Sequence, residues 1–208
     1  MSHTTLKFDE LNSLSRDYYE EYFGEMGVSA EAKKDRVLIA MALEDGFLDV
    51  LGWIQVKKNY GEPFFYDSIS MFEKAFLLAA LTRVPDDQDI RATANDFAEA
   101  VALSTYNHQD DGYYLSGERA INMAATESNA INCFGELGDA IKAGMTVKKW
   151  NTIIDGRERE WHEEVNGTTQ LISEPFVVGG ELLMYPLDTS LGAGADNIAN
   201  CRCWLTFG

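Results

Sequence analysis

The helical spacing of apolar residues stops at Gly144, and the chain changes character at that point. Before it, apolar residues recur every three or four positions in long segments, which is typical of amphipathic helices. After it, short segments lie between Gly, Pro, Asn and Asp residues, at 146–154, 176–178, 182–185 and 201–207. Short segments between turn residues predict strands. We therefore predict an α+β fold, with an amino-terminal helical domain of about five helices followed by a small irregular β-rich carboxy-terminal domain.

The same change of pattern predicts two domains. A helical domain is expected over residues 1–112, and a second domain over residues 113–208. The second domain would consist of a long helix at 116–144 and a β-rich unit at 145–208. A chain of 208 residues is long enough to bury a sizeable core in such an arrangement.

Capping and turn residues predict where the helices begin and end. Ser29 and Ser116 each precede an apolar periodic segment, as N-cap residues do. Gly144 is expected to cap the last long helix. Pro63 is expected to stop the second helix, and the third is expected to begin near Asp67.

Acidic residues dominate the charge of the chain. The net charge is -17, and 25 of the 34 acidic residues lie in residues 1–144. Phosphate backbones repel such a surface, so direct DNA binding is not expected. Solubility is one explanation of the acidity, and a basic protein partner is another. No apolar run approaches the length of about 18 residues that spans a bilayer, so no membrane insertion is expected either.

Three cysteines are too few for a secreted disulfide framework. Cys201 and Cys203 are also too close in sequence to bridge easily. If residues 201–203 are extended, both thiols point to one side and Arg202 points to the other. The third cysteine, Cys133, lies on the predicted long helix.

His162 together with Cys201 and Cys203 supplies three of the four ligands of a tetrahedral zinc site. Asp155, Asp188 or a water could supply the fourth. The alternative is that the two thiols pack as small apolar groups and the histidine is hydrogen-bonded to the backbone. Spacing alone leaves both interpretations open, so zinc is a candidate cofactor and no cofactor is certain.

Glu127 falls on the apolar stripe of the long helix, where a carboxylate must be paired, protonated or open to a cleft. It could act as a catalytic acid or base, with His162 as a second catalytic candidate. It could instead form a buried structural ion pair with Arg119, Arg157 or Arg202, which is the favoured interpretation. A Cys–His nucleophilic pair is also conceivable.

Four aromatic residues are expected to form the core of the small domain, because a unit of about 60 residues needs large buried side chains. They are Trp150, Trp161, Phe176 and Trp204.

The order of unlike residues in the last third is the most specific signal in the sequence. The series consists of Trp150, Asp155, Arg157, His162, Gly167, Pro175, Phe176, Pro186, Asp188, Asn200, Cys201, Arg202 and Cys203. Upstream, residues 113–120 and 125–129 contain an Arg-Ala pair and an acidic residue with an asparagine two positions later. Together these features resemble the carboxy-terminal domain of phage head morphogenesis proteins, the phage Mu F-like minor head (minor capsid) family.

This resemblance implies a structural protein that is made in the cytoplasm of the bacterial host and incorporated into the virion. It would lie in the head interior or near the portal, with portal protein as main partner and other head or scaffold proteins as further partners. Some relatives carry a Cys-x-x-Cys near residues 157–162, which suggests zinc; this chain has only His162 there. Two alternatives stay open: an enzyme, such as a nuclease or cysteine-type hydrolase, that uses His162, Glu127 and the two cysteines, and a zinc-stabilised interaction module.

Overall fold

The structure, a computed structural model, describes the backbone of residues 8–57 and 61–208 and the side chains of residues 14–57 and 61–208. The fold is α+β, as the sequence predicts. The long helices are α1 (Phe8–Gly24), α2 (Ala30–Gln55), α3 (Glu62–Ala80), α4 (Gln88–Asn107) and α5 (Gly117–Lys142). Two short helices follow, α6 (Glu160–Val165) and α7 (Ala195–Ile198). The strands are β1 (Val147–Asn151), β2 (Thr169–Leu171), β3 (Phe176–Val178), β4 (Glu181–Leu183) and β5 (Trp204–Phe207).

The helical body forms around α2. Helices α1, α3 and α5 all pack against α2, and α4 packs on α3. Their shared core consists of fully buried aromatic and aliphatic side chains, including Tyr19, Phe23, Leu43, Phe47, Phe72 and Phe76. None of the helices in the two described stretches is long and apolar enough to cross a membrane.

Both predicted N-caps are confirmed. The Ser29 hydroxyl accepts a hydrogen bond from the Ala32 amide at 3.1 Å, and the Ser116 hydroxyl accepts one from the Arg119 amide at 3.2 Å. Gly144 follows the end of α5 with a φ of 77°, a left-handed conformation that suits glycine.

The predicted role of Pro63 is wrong. Helix α2 ends at Gln55, and Pro63 lies in the first turn of α3, which begins at Glu62 rather than near Asp67. Proline is well tolerated there, because amides of the first turn have no partner within the helix. The proline therefore starts a helix instead of ending one.

The strands form two small antiparallel sheets. β1 lies between β2 and β5, with Trp150 opposite Leu205, while β3 and β4 form a hairpin. Strand β2 was not predicted, since its three residues are all exposed and give no alternating pattern. The strand predicted from residue 201 begins only at Trp204. The expected alternation nevertheless holds, because Cys201 and Cys203 are buried while Arg202 reaches an outer ion-pair network.

Helix α5 contributes to both hydrophobic cores. Ile131 packs in the helical core, whereas Cys133 and Leu137 pack in a second core with Trp150 and Phe176. The division of the chain at residues 112 and 113 stays a prediction.

The prediction of four core aromatics is right for two of them. Trp150 and Phe176 are buried in the second core, and Trp161 packs at its edge. Trp204 instead packs against the helical core, beside Gly27, where a Cβ atom would come within 2.8 Å of the indole ring. Through Trp204, the carboxy-terminal unit is attached to the helical body.

Candidate functional site

His162, Cys201 and Cys203 converge in the interior of the carboxy-terminal unit. The Nδ1 atom of His162 lies 3.7 Å from Cys201 Sγ and 3.4 Å from Cys203 Sγ. All three residues are buried. The structure therefore brings together the imidazole and the two thiols that the sequence suggested as ligands.

The end of β1 helps to position this cluster. Thr152 follows β1, and its hydroxyl donates to the His162 carbonyl at 3.0 Å while lying 3.2 Å from Cys203 Sγ. The Trp150 indole donates to the same hydroxyl at 3.2 Å. Trp150 of β1 and Thr152 just after it thus hold α6 against the segment that carries the cysteines.

Asn197 determines which nitrogen of His162 carries the proton. Its side-chain NH₂ donates to the Val178 carbonyl and to the Glu181 carboxylate, so its oxygen must face His162. That oxygen lies 3.3 Å from His162 Nε2 and accepts the Nε2 proton. The Nδ1 lone pair therefore points toward the two sulfurs, which is the tautomer that a metal ligand requires.

The pKa values of the two thiols are shifted in opposite directions. Burial raises the pKa of Cys203, but its hydrogen bond with Cys201 and its interaction with His162 outweigh burial and lower that pKa below its ordinary value. The pKa of Cys201 is raised by its hydrogen bond to Cys203 and by burial. Cys203 is thus the thiol more ready to become a thiolate, the form that binds metals.

The separations fit a zinc ion. Bonds of about 2.3 Å to sulfur and about 2.0–2.1 Å to nitrogen in a tetrahedron place the two ligand atoms about 3.6 Å apart. The observed sulfur–nitrogen separations, 3.7 and 3.4 Å, lie on either side of that value. A void of about 20 Å³ borders Thr152, His162 and both cysteines. It is large enough for one water molecule as a fourth ligand, and far too small for a macromolecular substrate.

Asp155 and Asp188, the suggested fourth ligands, are engaged elsewhere. The Asp155 carboxylate accepts from Arg202 at 2.7 and 2.8 Å and also pairs with Arg157. These hydrogen bonds hold the pKa of Asp155 well below its usual range. Asp188 is buried and accepts from the amides of Met184 at 2.8 Å and Ser190 at 2.9 Å, which stabilises a loop.

Other residues of the quoted series shape turns around this centre. Gly167 has a φ of 79° and donates to the Trp150 carbonyl at 2.8 Å, and Asn200 has a φ of 56° just before Cys201. Pro175 immediately precedes β3, and Pro186 is buried in the loop after β4. These positions are structural in the sense that they direct the chain into and out of the site.

Glu127 lies in a different place, in the wall of a cavity of about 590 Å³ between α4 and α5. The void beside His162 is separate from it. The predicted ion pair is wrong: Arg157 and Arg202 bind Asp155 and Glu25, and Arg119 donates to Thr105 and Tyr114.

Burial raises the pKa of Glu127 to about 8. The raised pKa has a consequence for stability, because the folded state prefers the neutral carboxyl. Stability should fall as the pH rises from about 4.5 to about 8. Glu127→Gln should remove that fall and stabilise the protein at pH 8 by about 1–3 kcal/mol, less than the full shift since the carboxyl is in part solvent-accessible. Urea unfolding at pH 4.5 and pH 8 measures this, with the exposed Glu118→Gln as control. Equal effects at both pH values would contradict the assignment.

The sequence did not predict the polar network that connects α2 and α5 to the segment that carries Cys203. Arg36 is fully buried and binds Glu136 through two hydrogen bonds of 2.6 and 2.9 Å. Its Nε atom donates to Asn129 at 3.0 Å, and Asn129 in turn donates to the Cys203 carbonyl at 2.9 Å. The available signal was an arginine beside Val37 on an otherwise apolar helix face.

Comparisons with models of protein families, with curated proteins and with solved structures found no match. The resemblance to the Mu F-like minor head family therefore stays a prediction.

Proposed function

We propose that this chain is a bacteriophage minor head protein, which docks on the portal or capsid during head assembly and genome packaging or delivery. The supporting observation is that the quoted series converges into one unit fastened to α5. Trp150, His162, Cys201 and Cys203 lie around one buried centre, and Arg202 joins the outer ion pairs. These unlike residues thus have a common structural reason to occur together.

The contacts that fix the carboxy-terminal unit to the helical body suit a protein that docks on a larger assembly. Asn129 on α5 donates to the Cys203 carbonyl, and the partly buried Trp204 packs against the helical core. On the outer side, Arg202 binds both Asp155 and Glu25, the latter just beyond α1. Contacts on several sides fasten the carboxy-terminal unit to the helices, an arrangement that favours a preorganised docking surface.

The charge indicates the kind of partner. A chain with a net charge of -17 would be attracted to a basic protein surface and repelled by packaged DNA. Portal protein and other head or scaffold proteins are the proposed partners, and the virion is the proposed location.

Co-sedimentation with purified portal rings tests this proposal. We expect the chain to sediment with the rings at moderate salt and to be released progressively at higher salt, since charge screening weakens acidic–basic contacts. Bovine serum albumin, another acidic protein, is the control for non-specific adsorption. A chain that stays in the supernatant with portal, scaffold and capsid proteins alike would refute the proposal.

An enzymatic function is the weaker alternative. His162, Cys201 and Cys203 are buried beside a void of about 20 Å³, and Glu127 lines another cavity. The proposed catalytic residues therefore do not share an open cleft. If His162→Ala abolished a nuclease or hydrolase activity of the purified protein while leaving its fold intact, the enzyme hypothesis would replace the structural one.

A zinc-stabilised interaction module is a second candidate, which the geometry of the cluster favours and which is compatible with attachment. His162 Nδ1 and the two thiolates would hold the ion. When bound, zinc would link α6 to the segment before β5 and so add to the stability of the unit. Asn197 would orient the imidazole from behind.

Metal analysis of protein purified without chelator tests the zinc candidate. We expect about one zinc per chain, and a melting temperature that falls when a chelator removes it. Asn197→Ala should weaken zinc binding about 10–100-fold. Cys203→Ser should lose the metal, whereas Cys133→Ser, a buried thiol outside the cluster, should keep it. Substoichiometric zinc together with insensitivity to chelator would exclude this candidate.

A further inference from the structure

An apolar groove runs between α4 and α5. Helix α4 packs mainly on α3, and α5 packs mainly on α2, so these two helices form the walls of a trough. Phe76 of α3 lies in its lining, and the loop that contains Tyr185 and Leu187 closes one end. The enclosed volume is about 590 Å³.

The length of the groove matches a helix. Lining residues extend along α4 from Ile90 to Ser104, and along α5 from Arg119 to Phe134. At a rise of about 1.5 Å per residue, each wall is about 21 Å long, which is close to the length of a four-turn helix. A cavity of about 590 Å³ is also within the range that takes a drug-sized ligand, so the length of the groove, rather than its volume, favours a helix.

The lining is largely apolar, and an acid without an ion-pair partner in the described part of the chain lies near its middle. Phe97 and Val101 on one wall face a lining that includes Met123 and Ile131 on the other. Glu127 lies between the last two, and none of the described residues gives its carboxyl an ion pair or hydrogen bond.

The other charged residues of the lining do not compensate Glu127. Asp96 is also acidic and exposed. Arg119, at one end, is engaged by Thr105 and Tyr114. The groove is therefore apolar with a carboxyl in its lining that is unpaired within residues 14–57 and 61–208, and a cation that would complement an ionised Glu127 must come from a binding partner.

We propose that the groove docks an amphipathic helix of a partner protein, with a lysine or arginine in the middle of its apolar face that pairs with Glu127. An apolar helix face in an apolar groove is a common mode of peptide recognition. The basic side chain would offset the cost of burying the Glu127 carboxylate. A second copy of this chain is a poor occupant, since two molecules with a charge of -17 repel each other. The inference rests on the proposed function only for the source of the helix, which would be a head component.

A peptide library tests the groove with the full-length chain. The probe is a displayed library of 16-residue amphipathic helices with Leu and Ala on the apolar face and one randomised position at its centre. We expect Lys and Arg to be enriched at that position at least tenfold over Gln and Leu. Selection on the Glu127→Gln variant should lose this enrichment.

Two alanines of α4 provide a matched pair of steric variants. Ala100 is exposed and lines the groove, whereas Ala92 is exposed on the same helix outside the lining. Ala100→Trp should abolish capture of the selected peptides, and Ala92→Trp should leave it unchanged. Circular dichroism of both variants confirms that the fold is intact.

Several results would overturn the inference. The first is that the chain retains no helix from the library. The second is that Lys and Arg are enriched equally on the Glu127→Gln variant, and the third is that the Ala100→Trp variant still captures the selected peptides. A dimer that Ala100→Trp dissociates would assign the groove to a second copy, and stabilisation by decylamine without helix capture would assign it to a small amine. If portal binding persists while the library fails, the inference is wrong and the proposed function stands. Helix capture without binding to any head component would support the groove and refute the function.

Discussion

Glu136→Ala should lower the free energy of unfolding by about 3 kcal/mol or more. The Arg36 side chain is fully buried, and Glu136 accepts two of its hydrogen bonds, at 2.6 and 2.9 Å. Without the carboxylate, the guanidinium would remain in the interior with an uncompensated charge. Urea denaturation monitored by tryptophan fluorescence measures the loss.

A second ion pair on the same helix is the control. Asp139 pairs with Arg83 at 2.9 Å, but its side chain is 60% exposed, against 19% for Glu136. Because exposed pairs contribute little, Asp139→Ala should cost less than about 1 kcal/mol. Equal losses for the two variants would mean that Arg36 does not depend on Glu136.

Asn129→Ala should also destabilise the protein strongly, by about 2–4 kcal/mol. The substitution removes the acceptor of Arg36 Nε and the amide donor to the Cys203 carbonyl, which keeps only a weak contact of 3.9 Å from the Cys133 thiol. The loss should also be visible locally, since the Asn129 side chain donates from α5 to the Cys201 and Cys203 carbonyls of the segment before β5. Amides of residues 201–207 should exchange hydrogen faster in the variant.

Asn122→Ala is the control for the asparagine prediction. Asn122 lies on the same helix, and its side chain accepts one long, exposed hydrogen bond of 3.4 Å from Tyr18. Its replacement should cost less than about 1 kcal/mol and leave exchange at residues 201–207 unchanged. If the amides of residues 201–207 also stayed protected from hydrogen exchange in Asn129→Ala, contacts other than Asn129 would hold this segment.

The helical part of the fold followed from local patterns. Ser29 and Ser116 cap helices as predicted, because an N-cap acts through bonds to the next three residues. Pro63 was misassigned, since a proline between two helices is compatible with the end of one and the start of the next. Strand β2 could not be predicted because none of its residues is buried.

The candidate metal centre was in part predictable. The pairing of His162 with Cys201 and Cys203 could be proposed because metal sites need few residue types in recognisable spacings. The ion pair between Asp155 and Arg202 could not be predicted, because the sequence did not distinguish Asp155 from other nearby acids as a fourth metal ligand.

The remaining features depend on tertiary arrangement. Sequence patterning placed Glu127 on an apolar face correctly but could not show that α4 stands apart from α5 to leave a groove there. It likewise could not show that Trp204 packs on the helical body rather than in its own unit. Both outcomes result from how elements distant in sequence are packed.

The central claim is that this chain is a minor head protein of a phage, and quantitative mass spectrometry of purified virions and DNA-free proheads of that phage tests it most directly. An attachment protein should be present in both particles, in few copies and in a constant ratio to the portal protein. A chain that is abundant in the infected-cell lysate but absent from both particles would contradict the claim.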